Sequence, residues 1–166
     1  MTVKHHADDL IRLFNNLFSE AYRCHLVRGG DEPLYQPATG KGEYHQLQFA
    51  HGYFASALHE IAHWCIAGAQ RREQVDFGYW YHPYRDAALQ AEFETAEVVP
   101  QALEWILSDA AGFRYRPSLD NLELRPDPGP FLQRVQGAKA QMLTDGLPER
   151  AARFSRALAG FYPGRD

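Results

Sequence analysis

The sequence predicts an α+β fold: a mostly helical single domain spanning residues 1–166, with a small sheet and a central metal-binding helix. Three observations predict it. Apolar residues recur at helical spacing in segments spread along the whole chain. One short piece near residue 45 alternates with a period of two instead. Between them, residues 26 to 42 are broken up by Gly29-Gly30, Pro33, Pro37 and Gly40 to Gly42, as connections around a small sheet are. At 166 residues the chain is long enough to bury a core without disulfides or a partner, and 45 % hydrophobic with 23 % charged residues is the balance of a soluble globular domain.

The elements follow in order. Residues 8–23 place Leu10, Leu13, Phe14, Leu17 and Phe18 on one helical face, with Asp8 or Asp9 positioned to cap. "EYHQLQF" alternates Tyr44, Gln46 and Gln48 with His45, Leu47 and Phe49, which suits a short strand. Residues 53–67 read as a helix stopped by Gly68. "VDFGYWYHPY" is an aromatic loop or strand. "RDAALQAEFETAEVVPQALEWILSDAAG" reads as two helical stretches with a kink or break near Pro100, because proline removes a backbone donor and presses on the carbonyl of Ala96. Beyond Gly112, Pro117, Pro126, Pro128 and Pro130 mark a surface stretch, and helices over about 130–144 and 148–160 close the chain, with Pro148 in the first turn of the last.

Charge and composition exclude several classes. A net charge of -4 with scattered Lys and Arg argues against direct nucleic-acid binding. The residues after Met1 lack the apolar stretch of a signal peptide, and no run of about 18 apolar residues exists to span a membrane. A cytoplasmic protein with no membrane partner is expected. Cys24 and Cys65 are then expected as buried free thiols, not a bridge.

The chemistry lies in "HEIAHWC", residues 59–65. On a helix each residue turns by about 100°, so His63 stands about 40° around the axis from His59 and one turn above it. Both imidazoles reach one ion. Phe54, Leu58, Ile61, Ala62 and Cys65 fall on the opposite sector and pack. With eight histidines and eleven glutamates, chance supplies His-Glu-x-x-His in roughly one chain in forty of this composition, so the motif is fairly specific.

A catalytic metal needs a third protein ligand and open positions. Glu94 and Glu97 lie one turn apart on a later helix. Glu97 is preferred, being next to the Pro100 break, and Glu94 is the candidate acceptor for a ligand histidine. Glu94 also reads as part of a solvated acidic stripe with Glu104. His51, just before the metal helix, is a candidate pocket residue. Tyr79, Trp80 and Tyr81 are candidate pocket walls for a cationic substrate, although core packing explains such rings as well. His5, His6, His25, His45 and His82 read as surface or structural.

The motif leaves two chemistries open. In a zinc metallopeptidase Glu60 is the catalytic general base for the attacking water. Two histidines and one carboxylate with open positions are equally the ligand set of non-heme iron(II) oxygenases, and spacing does not separate the two. A third possibility is a non-catalytic module that metal merely stabilises.

"GDEPLY", "FAHGYFASALHEIAHWCIAG", "RREQVDFGYWY", "FETAEVVPQALEW", "DNLE" and "GLPERAARFSRAL", in this order over about residues 5–162, resemble the elongation factor P hydroxylase family. The resemblance implies an iron-dependent enzyme that uses dioxygen to hydroxylate a lysine of elongation factor P, normally after β-lysine has been attached. That is the last step in the maturation of this translation factor. By position, the family's metal set falls on His59, His63 and Glu97, and Glu60 keeps at most a supporting or proton-handling role. The helical motif differs from the strand-borne His-x-Asp/Glu pair of jelly-roll oxygenases, so 2-oxoglutarate is not expected. A lysine bearing β-lysine offers two amines, which an acidic protein with Tyr79, Trp80 and Tyr81 near the metal would suit.

Overall fold

Leu10, Phe14 and Phe18, spaced four apart, are fully buried and anchor the first helix, α1 (Ala7–Tyr22), to the core. In this computed structural model, which describes residues 3–80, 84–119 and 127–163, α1 begins one residue earlier than expected, after His6. Asp8 and Asp9 therefore sit in its first turn, where their charge complements the helix dipole. Asp8 pairs with Arg28 at 2.9 Å and Asp9 with Arg12 at 2.7 Å. Arg23, in the left-handed conformation (φ 51°), ends α1 and turns the chain into the sheet.

The sheet has three strands, β1 (Cys24–Arg28), β2 (Leu34–Gln36) and β3 (His45–Phe49), in the order β1-β3-β2. β3 runs parallel to β1 and antiparallel to β2, with Leu47 opposite both Leu26 and Tyr35. These three side chains, with Cys24 and Phe49, form its buried face. The alternation in "EYHQLQF" thus marked the central strand. β2 has only three residues, and β1, though as long as β3, was not marked by such an alternation.

The metal-motif helix, α2 (Phe54–Ile66), buries Phe54, Ala57, Leu58, Ile61, Ala62, Trp64 and Cys65 on its back. Trp64 sits among Phe14 and Phe18, with ring centres 4.8 and 4.9 Å away. Gly68 does not cap α2 in the left-handed conformation: the chain leaves the helix at Ala67 in an extended conformation (φ -63°, ψ 126°). Arginines take the terminal carbonyls instead, Arg150 donating to Trp64 and Ala67 at 2.6 Å each and Arg72 to Ala67 at 2.7 Å. Both cysteines are buried and free.

The start of the aromatic stretch is a tight turn, Val75–Gly78, in which Asp76 and Phe77 are left-handed and Phe77 stacks on Tyr35 at 4.3 Å. Tyr81 and His82 lie outside the described residues, as do "DNLE" and Pro126.

One helix, α3 (Ala87–Ala111), replaces the two expected on either side of Pro100. Proline still denies the Ala96 carbonyl a helical donor, but packing against α2 and two later helices, α4 (Pro128–Asp145) and α5 (Glu149–Phe161), keeps α3 unbroken through Pro100. Pro128 and Pro130 are exposed at the surface, as expected, but lie in the first turn of α4, capped by Asp127 through Gly129 N–H at 3.0 Å. Pro148 precedes α5 instead of lying in its first turn. Among the described residues no helix is long and apolar enough to cross a membrane. The main core joins α1, the sheet, α2, α5 and the end of α3, leaving the polar side of α2 facing the middle of α3.

Candidate metal centre

His59 and His63 project side by side from α2, their ring centres 4.8 Å apart. Glu97 approaches from α3 with Oε1 2.9 Å from His63 Nε2 and Oε2 3.5 Å from His59 Nε2. One ligand atom from each of the three lies within 4.8 Å of the others. Donor atoms bound to one ion at about 2.1 Å stand about 3 Å apart, so two imidazole nitrogens and one carboxylate oxygen fit a single divalent cation here. The three residues hold one side of that position and leave the cavity side open.

The carboxylate on the candidate ligand His59 is Glu104, not Glu94. His59 Nδ1 donates to Glu104 Oε1 at 2.6 Å, which leaves Nε2 free to face a cation. Glu94 is half-buried on α3 and does not border the cavity. Glu104 had read as part of a solvated stripe, yet it is only 6 % exposed. The overlooked signal is a spacing: Glu97, Gln101, Glu104 and Ser108 form one buried polar row on α3, at steps of four, three and four residues.

The electrostatics follow from this packing. Burial pushes the Glu97 carboxyl up, but the charges of His63 and His59 and hydrogen bonds from His63 and Gln101 outweigh it and hold the group at about 2. Burial depresses the His59 imidazole, but Glu97 and Glu104, the latter also through its hydrogen bond, with Glu60 adding to them, raise it to about 10. Glu60 is held above the ordinary carboxylate range by burial, with Glu97 and Asp76 adding to the effect and the two histidines opposing it. A site that attracts positive charge this strongly suits a cation.

His59, His63 and Glu97 open into a cavity of about 1150 Å³. Glu60 lines it, as do His51 and Tyr79. His51 is exposed and left-handed (φ 60°), with Nδ1 3.9 Å from Asp31. Arg71 lies 4.0 Å over the Tyr79 ring. Trp80, 76 % exposed, is not among the described lining residues. Asp76, Arg116 and Ser118 do line the cavity, and sequence reasoning had not picked them out. Asp76 is held by its left-handed turn and accepts from Tyr35 N–H at 2.9 Å.

A helical domain carrying two histidines and one carboxylate, open to a large cavity, defines a candidate mononuclear metal enzyme. The family model for elongation factor P hydroxylase matches residues 13–166. The chain is also 49 % identical over 166 residues to the elongation factor P lysine hydroxylase of Haemophilus influenzae, covering 99 % of this chain and 93 % of that protein. The chain belongs to the elongation factor P hydroxylase family. The peptidase alternative is not favoured by this membership.

Proposed function

We propose that this protein hydroxylates the lysine of elongation factor P that carries β-lysine, completing the modification of that translation factor in the cytoplasm. The observation that carries the reading is a near-full-length match to the hydroxylase family in a chain whose HExxH histidines converge with Glu97 at an open cavity. His59, His63 and Glu97 are the ligands of an iron(II) ion in this reading. When bound, that ion would supply the activation of dioxygen, one oxygen atom going to an unactivated carbon and the other leaving as water with two electrons from an external reductant.

The remaining steps belong to the chain. Glu104 orients His59 so that Nε2 faces the ion. The cavity far exceeds a single side chain in volume, so it has room for the modified lysine. Glu60 and Asp76 place negative charge on its wall, complementary to the two ammonium groups of a β-lysyl-lysine side chain. Tyr79 offers a ring face beside them, and Trp80 stands exposed next to it in the chain. Glu60 supports the site by holding charge or a proton and is not the base of a hydrolysis.

Intact-mass measurement of elongation factor P tests this directly. Cells containing the protein yield factor heavier by one oxygen than cells lacking it. A Glu60→Gln variant retains measurable hydroxylation, whereas a peptidase would lose all activity. An unchanged mass in both cell types would sink the reading.

A further inference from the structure

Gln101 lies fully buried on α3, one turn beyond Glu97, and its amide is engaged on every side. Nε2 donates to Glu97 Oε2 at 3.1 Å and to the Ser118 carbonyl at 2.6 Å. Oε1 accepts from the Tyr115 hydroxyl at 2.6 Å and from Ser118 N–H at 3.1 Å. Both donors and both acceptor positions are therefore used, and exchanging the two ends would set donors against donors. The amide has one orientation. The segment it grips is fastened again at Leu119, whose carbonyl accepts from Gln90 at 3.0 Å, and Tyr115 stacks on Trp105 at 4.9 Å.

We propose that Gln101 is a positioning residue for the metal centre, fixing which oxygen of Glu97 faces the ion and tying that ligand to the Arg116–Ser118 wall of the cavity. The inference rests on reading His59, His63 and Glu97 as the metal set. A glutamate carboxylate turns easily about its last torsion and presents two equivalent oxygens. Either can ligate, or both together, which would close one of the open positions. The Gln101 N–H occupies Oε2 and leaves Oε1, 2.9 Å from His63 Nε2, as the ligand. A glutamate at 101 would add a second negative charge there and supply no donor.

Cobalt(II) titration of the metal-stripped full-length protein, followed by the visible absorption of bound cobalt, tests this. Gln101→Leu and Gln101→Glu are expected to weaken cobalt binding by about 10- to 100-fold and to change the absorption bands. Tyr115→Phe removes one support of the amide and is expected to weaken binding by about two- to fivefold. A merely structural role would lower the melting temperature of the metal-free variants and leave affinity and spectrum unmoved, and that result overturns the proposal. Should Gln101→Leu fail to fold, unchanged affinity in Tyr115→Phe overturns it equally. Failure of the wild-type protein to bind cobalt overturns the metal reading itself, and the role of Gln101 with it.

Discussion

Glu104 Oε1 lies 2.6 Å from Nδ1 of His59, so a buried carboxylate on α3 holds the proton of an imidazole on α2 and turns its other nitrogen toward the cavity. Removing the carboxylate frees the ring to rotate and to take the other tautomer. Glu104→Ala is expected to weaken divalent-metal binding by about 10- to 100-fold, and Glu104→Gln, which keeps an acceptor oxygen, by less. Calorimetric titration with manganese(II) measures both. Affinities equal to wild type would assign Glu104 to packing alone.

His63 tests the ligand set from the other side. Its Nε2 is 2.9 Å from Glu97 Oε1, so its removal takes one of the three converging donors from the site. His63→Ala is expected to hold less than about a tenth of the metal carried by the wild-type protein, and to leave elongation factor P unhydroxylated. Metal analysis of the two purified proteins, beside intact mass of the factor, decides it. Equal metal in both would remove His63 from the set.

The pattern that located the central helix also fixed what packs behind it. Leu58, Ile61 and Cys65 were legible as its buried side because a period of 3.6 leaves no other face for them. Glu104 was misread for the opposite reason: a carboxylate on a helix is usually solvated, and only the approach of α2 makes this one a partner for His59. Pro100 misled through a local rule. A proline does disrupt a helix taken alone, but the contacts of α3 with α2, α4 and α5 hold it continuous here. Asp76 gave no signal at all, because its place on the cavity wall depends on two left-handed residues that a non-glycine sequence does not announce.

Charge on the cavity wall should be read out in substrate binding. Asp76→Asn keeps an oxygen for the Tyr35 N–H and removes only the negative charge. Losing about 1 kcal/mol of attraction to an ammonium group corresponds to about a fivefold rise in KM for the factor, with kcat within about twofold of wild type. Steady-state kinetics with β-lysylated factor provides the check. A KM unchanged at low ionic strength would exclude Asp76 from substrate recognition.

Alkaline stability is set in part by Cys24. Burial pushes its thiol from 9.0 to about 12, against the opposing charges of Arg72 and Arg150. The Tyr35 phenol is shifted upward as well, first by burial. Between pH 9 and 12 the folded protein keeps a proton that the unfolded chain releases, so stability is full below pH 9 and falls above it. The slope for one such thiol is at most about 1.4 kcal/mol per pH unit. Urea unfolding at pH 8 and pH 10 should show a smaller loss for Cys24→Ala than for wild type. Parallel losses in the two proteins would show that other groups govern the alkaline limb.

Arg150 joins stability to the metal centre. Its guanidinium donates to the carbonyls of Trp64 and Ala67 and lies 4.5 Å over the Trp64 ring, so α5 closes the end of α2 one turn beyond His63. Two hydrogen bonds from a charged group to the carbonyls at the end of α2, the one on Ala67 shared with Arg72, together with the stacking make Arg150→Ala costly by about 3 kcal/mol. For a domain of this size that is a fall of about 6 to 12 °C in Tm. Arg150→Lys should recover less than half, because a single ammonium cannot span both carbonyls while covering the ring. The turn loosened is the one that carries His63, so the rise in Tm on adding manganese(II) should also shrink in Arg150→Ala. Thermal scans with and without the ion separate the two effects. A full metal-induced rise on a lowered baseline would confine Arg150 to stability, and a diminished rise would make α5 part of what holds the ligand histidine in place.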